Sequence, residues 1–115
     1  MSVSDLSLTV KPNPPVGPRR SRVQPVGAVR RRVVVKGRVQ GVFFREWTRR
    51  TAERRAVAGW IRNCPDGAVE AVFEGDAGDV ASMVVSVGLG PPEARVESVE
   101  AHDEQPEGLQ GFVVS

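Results

Sequence analysis

Nine residues, Gly37-Arg38-Val39-Gln40-Gly41-Val42-Phe43-Phe44-Arg45, join two segments of opposite character. Ahead of them Val33-Val34-Val35 reads as a buried strand, and behind them residues 46–55 read as a helix. The chain must turn between the two, and glycines at 37 and 41 permit positive φ there without a Cβ penalty. Such a turn can aim several successive main-chain N–H groups into one concavity, a nest for an anion. The helix behind it adds the positive end of its dipole and its unsatisfied first-turn donors. Arg45, at the start of that helix, carries a planar guanidinium that can grip a phosphate through two parallel N–H bonds. The stretch matches neither a Walker A loop nor a G-x-G-x-x-G fingerprint, so no nucleotide follows from it. On these residues alone, a tight turn beside an exposed arginine fits as well as an anion site does.

The rest of the chain alternates in a readable order. The first strand covers residues 31 to about 39, with Val33, Val35 and Gly37 on one face and Arg32, Val34 and Lys36 on the other. Phe44, Trp47, Thr48, Thr51 and Ala52 make an apolar stripe on the first helix. A second strand over residues 57–63 leads into Cys64-Pro65-Asp66-Gly67, a hairpin signal. The return strand over 68–74 places Val69, Ala71 and Phe73 inward and Glu70 and Glu74 outward, so one sheet face is expected covered and the other wet. Asp76 reads as the N-cap of a second helix, with Val80, Met83, Val84 and Val87 at i, i+3, i+4 and i+7, ended by Gly88, Gly90 and Pro91-Pro92. A fourth strand runs from 94 to about 102, its Val96…Val99 spacing hinting at a bulge, and residues 111–114 form a short fifth. The order β-α-β-β-α-β defines an α+β sandwich of the ferredoxin-like, split-βαβ type: an antiparallel sheet with both helices on one face.

Residues 1–29 differ from this body. Pro12, Pro14, Pro15, Pro18 and Pro25 interrupt any regular element, and the apolar residues there follow no period, so a disordered extension is expected, with the folded domain at 30–115. Residues 1–32 carry seven Lys/Arg against the single Asp5, a balance of +6, while the remainder carries nine against thirteen Asp/Glu, a balance of −4. The basic character thus belongs to the tail, and the mildly acidic body gives no reason to expect nucleic acid. No apolar run reaches the length of a membrane span, and the single cysteine fits a reducing cytoplasm. Cys64 lacks the arginine six residues on that a cysteine phosphatase needs, since Glu70 stands there, and His102 has no metal-ligating companions.

Residues 37–45 also resemble the signature of the acylphosphatase family. Gly59-Trp60-Ile61-Arg62-Asn63 is similar to that family's second motif, and Asp66-Gly67-Ala68-Val69-Glu70 to the run that follows it. Arg95-Val96, Val99 and Phe112-Val113 fit the weaker downstream pattern, so the resemblance spans roughly residues 30–115. The resemblance implies the same ferredoxin-like fold and hydrolysis of acyl phosphates without metal or cofactor. It implies catalytic roles for Arg45, on the phosphoryl group, and Asn63, on the attacking water. The main-chain N–H groups of Val39, Gln40, Gly41, Val42 and Phe43 would bind the phosphate. It further implies a small acyl phosphate as the partner, inorganic phosphate as product and inhibitor, and a cytoplasmic monomer touching neither membrane nor nucleic acid. Topology supports the pairing of Arg45 with Asn63, because the strands flanking a βαβ crossover run parallel and end at the same edge of the sheet. Two rivals deserve mention. An RNA-recognition module shares the plan but stacks bases on central-strand aromatics, and only Phe73 is on offer, on the inward face. An accessory domain of a larger carbamoyl-transfer machine fits less well with a chain ending at Ser115.

Overall fold

The computed structural model describes residues 27–115. The expected extension lies almost wholly outside the described residues. In chain order the elements are β1 (Ala28–Arg38), α1 (Phe44–Arg54), β2 (Ala58–Asn63), β3 (Val69–Asp76), α2 (Ala77–Leu89), β4 (Arg95–Glu104) and β5 (Phe112–Val114). The five strands form one sheet in the order β4-β1-β3-β2-β5. Every neighbouring pair is antiparallel except β2 with β5, which is parallel, so the short fifth strand makes the sheet mixed. Helices α1 and α2 pack on one face, over a core that includes Val33, Val35, Phe44, Ile61, Phe73, Met83 and Phe112. The stacked rings of Phe73 and Phe112, 5.8 Å apart, fasten the fifth strand to the centre of that core.

Local chemistry explains most of the boundaries. Strand β1 begins three residues before the expected position, because Ala28, Val29 and Arg30 still pair with Asp76, Gly75 and Glu74. Asp76 closes β3 and also caps α2, its carboxylate accepting from the N–H groups of Gly78 and Asp79 at 3.0 and 3.2 Å. Helix α2 passes through Gly88 and stops at Gly90, whose N–H bonds to Ser86 O at 2.9 Å. The bulge hinted at by Val96…Val99 is present: Lys36 faces Ser98 while Gly37 faces Val96, leaving Glu97 as the extra residue. There Gly37, at φ 128°, lets two backbones close in, since a Cβ would lie 2.2 Å from Arg95 O. Its positive φ therefore serves strand pairing rather than the anion nest.

One expectation is overturned. Glu74 does point away from the helices, but it is only 1% exposed. The segment leading into β5 folds over it, and its carboxylate accepts main-chain N–H bonds from Glu107, Gly108 and Leu109 at 2.8–3.1 Å. Arg30, itself 4% exposed, pairs with Glu74 at 2.8 Å. A carboxylate buried this way stays charged because several donors replace its lost water. The outer face of the sheet is thus no uniformly wet surface. It is a lattice in which Arg30 and Arg32 bridge to Glu104, Arg32 and Arg62 share Glu70, and Arg32 lies over the Trp60 ring at 5.5 Å.

Candidate active site

The C-terminal ends of β1 and β2 lie at the same edge of the sheet, as the crossover topology requires. Val35 and Asn63 both pair with Val69, from opposite sides of β3. They are therefore two strand spacings apart, roughly 10 Å. Beyond Val35 the chain leaves the sheet after Arg38, and residues 39–43 curl over the edge toward the β2–β3 turn.

Gln40 fixes that curl. Its side-chain amide donates to the main-chain oxygens of both Cys64 and Ala68, each at 2.8 Å. The turn itself is braced by Cys64 N to Ala68 O at 2.8 Å and by Ala68 N to the Asp66 carboxylate at 3.0 Å. Asn63 stands half-buried immediately before the turn, so one amide side chain ties the glycine loop to the neighbourhood of Asn63. Only a main-chain role was read for Gln40 from sequence. Its side-chain role had no signal there, because its acceptors are carbonyls that every residue possesses.

Within the loop Val39 is buried, Gln40 and Val42 are half-buried, and Gly41 and Phe43 are exposed. Gly41, at φ 73°, bends the main chain as expected, and Phe43 is also left-handed at φ 67°. Among the described residues, the main-chain N–H groups of Gln40, Gly41, Val42 and Phe43 donate to no protein acceptor. Phe43 is the N-cap of α1 and offers no side-chain acceptor to the first turn. The contrast with α2, whose first turn is capped by Asp76, is chemical: α1 keeps its orphan donors open. Four free N–H groups and an uncapped helix start form a concentrated donor surface.

Arg45 is half-buried in the first turn of α1. Its Nη1 donates to the main-chain oxygen of Ser115 at 2.7 Å. Ser115 N in turn bonds to Ile61 O at 2.9 Å, continuing the parallel pairing of β5 with β2. The fifth strand thereby braces the arginine from behind. A guanidinium has five N–H donors, so this single bond leaves most of its fork for a ligand. Sequence reading missed Ser115 for the same reason as the acceptors of Gln40. The structure thus gathers the loop, Arg45 and the β2 end at one edge; among the described residues, Arg45 and Asn63 make no hydrogen bond to each other. Among the described residues, no three His, Cys, Asp or Glu side chains are grouped as a metal site would require.

The acylphosphatase family model matches residues 31–114. The chain belongs to the acylphosphatase family. An acylphosphatase from Rubrobacter xylanophilus is 60% identical over 84 residues, covering 72% of this chain and 76% of that protein. One from Natronomonas pharaonis is 54% identical over 86 residues, covering 75% of this chain and 94% of its own. The solved structure of an acylphosphatase from Coxiella burnetii superposes with a TM-score of 0.77 at 33% identity, covering 81% of this chain and 98% of that one. The described fold is therefore that of the acylphosphatase family, fifth strand included.

Proposed function

We propose that this protein hydrolyses acyl phosphates to a carboxylate and inorganic phosphate, using Arg45, Asn63 and the main chain of residues 39–43. The observation that carries the reading is the run of unpaired N–H groups from Gln40 to Phe43 beside Arg45, in a chain of the acylphosphatase family. The phosphoryl oxygens sit in the nest, held by those N–H groups and by the free edge of the guanidinium. Asn63 orients a water through its side-chain amide, in line with the scissile bond. The water oxygen bonds to phosphorus, the bond between phosphorus and the acyl oxygen breaks, and its electron pair leaves on the carboxylate. The proton of the water ends on a phosphate oxygen.

This division of labour suits the chemistry. The conjugate acid of the leaving group has a pKa of about 4, so it departs without a general acid. What remains is positioning and neutralisation of charge on the equatorial oxygens, which fixed N–H donors and one arginine supply. No metal or cofactor is called for, and inorganic phosphate competes for the same nest as product and inhibitor. The protein is read as a cytoplasmic monomer acting on a small acyl phosphate, with the residues ahead of β1 a separate extension of the catalytic domain, which the pairing of Ala28 and Val29 begins two residues before the expected boundary. No helix among the described residues is long and apolar enough to cross a membrane.

The test is phosphate release from acetyl phosphate, with and without chelator. Turnover insensitive to the chelator is the expected result. Activity lost with chelator and restored by Mg²⁺ or Zn²⁺ would overturn the metal-free mechanism. The same assay on a chain starting at residue 27 checks that the catalytic domain is self-sufficient, turnover being expected to persist.

A further inference from the structure

Phe43 remains unexplained once the main chain of the loop has been given its role. It holds φ 67° and ψ 19°, a left-handed conformation that glycine or asparagine adopts far more cheaply. Its side chain is 61% exposed, so core packing does not repay the strain. A single exposed apolar residue is ordinary on any protein. A strained one beside a catalytic loop is not, because such outliers persist where surrounding structure and function hold them.

Two further observations give the ring a direction. The guanidinium carbon of Arg50 lies 5.4 Å from the ring centroid and backs one side of it. The ring also lines an open cavity of about 630 Å³ together with Arg38, Gly41, Val42 and Glu93. Arg50 itself does not line that cavity. Arg38 and Glu93 bring one charge of each sign to the rim, and neither has an ion-pair partner among the described residues. Those charges offset one another and give no net preference for an anionic acyl group. The feature left to discriminate is the exposed phenyl ring.

We infer that Phe43 is the platform on which the acyl part of the substrate rests, and that it selects acyl phosphates whose acyl group is flat and apolar. This rests on the phosphoryl site proposed above. With the phosphoryl group seated against the loop, the acyl group continues onto the surface next to it, and Phe43 presents its ring there. Arg50 holds the ring in place from behind, so little ordering is left to be done when substrate arrives.

The experiment compares kcat/KM for benzoyl phosphate and for acetyl phosphate in the wild type, Phe43→Gly, Phe43→Asn and Phe43→Tyr. Glycine and asparagine both tolerate the left-handed backbone, so the loop keeps its path. The readout is the benzoyl-to-acetyl ratio, because any disturbance of the nest acts on both substrates alike. The ratio is expected to fall about three- to tenfold in the Gly and Asn variants, the scale of one lost aromatic contact, and to recover in the Tyr variant. A ratio that does not move in either variant, with both substrates still turned over, would overturn the platform and leave the hydrolytic reading standing. A wild-type protein that releases phosphate from neither substrate would overturn that reading and this inference together.

Discussion

Arg45 and Asn63 lie at the same sheet edge, yet they are assigned different parts of the reaction and should fail differently. In the proposed mechanism Arg45 holds the phosphoryl group before and during transfer. Arg45→Lys keeps the charge but loses the planar fork, and it is expected to weaken inorganic phosphate inhibition as well as lowering kcat by about 10³-fold or more. Asn63 is proposed to touch only the water. Asn63→Ala is expected to lower kcat by roughly 10²–10³ with phosphate inhibition unchanged. Steady-state kinetics with phosphate as inhibitor separates the two. Gln40 makes a third case, because its side chain shapes the nest without belonging to it. Gln40→Ala removes two hydrogen bonds to main-chain oxygens. It should loosen the loop, so phosphate inhibition and kcat fall together, kcat by about ten- to a hundredfold. A Gln40→Ala protein with wild-type kinetics would show that the loop holds its path without that tie.

At the scale of elements, the outer face of the sheet ties stability to pH. The hydrogen bond from Arg32, with that from Arg30, holds the Glu104 carboxyl at about 2, below its ordinary 4.5. On α1 the hydrogen bond from Arg49, against the opposing effect of burial and helped by Arg50, holds Glu46 at about 2 as well. For Glu70 and Glu74 burial pushes the carboxyl up, but the donors around them win and both are lowered. A carboxyl whose folded pKa lies below its unfolded value stabilises the fold above the unfolded value. That contribution disappears as pH falls through the folded one. Unfolding midpoints in urea are therefore expected to hold steady from pH 7 down to about 5 and to drop between about 4.5 and 2, the window set by Glu104 and Glu46. Because Arg32 and Glu104 are each 31% exposed, added salt should shrink the drop in their share. Midpoints independent of pH over that window would show that the lattice contributes nothing.

Across the whole molecule, what the sequence disclosed depended on whether an interaction is written in side-chain patterns or in main-chain atoms. The alternation of Val69, Ala71 and Phe73, the stripe on α1 and the Asp76 cap are side-chain patterns, and each element formed where they stand. Even the bulge at Glu97 was legible, because it breaks a period of two. Alternation tells which side of a sheet Glu74 faces, but not that a later segment will cover it with three N–H groups. The parallel docking of β5, the brace from Ser115 to Arg45 and the acceptors of Gln40 likewise use main-chain atoms. The site shows the same division. Arg45 and Asn63 are named in the sequence by the motifs that hold them, their roles being those proposed above, whereas the openness of the N–H groups required the path of the loop. In the proposed reaction water attacks phosphorus and the acyl group leaves intact. Hydrolysis of acetyl phosphate in ¹⁸O-labelled water tests this directly. One labelled oxygen is expected in the inorganic phosphate and none in the acetate. Label in the acetate would mean attack at the acyl carbon, and would contradict the proposed reaction.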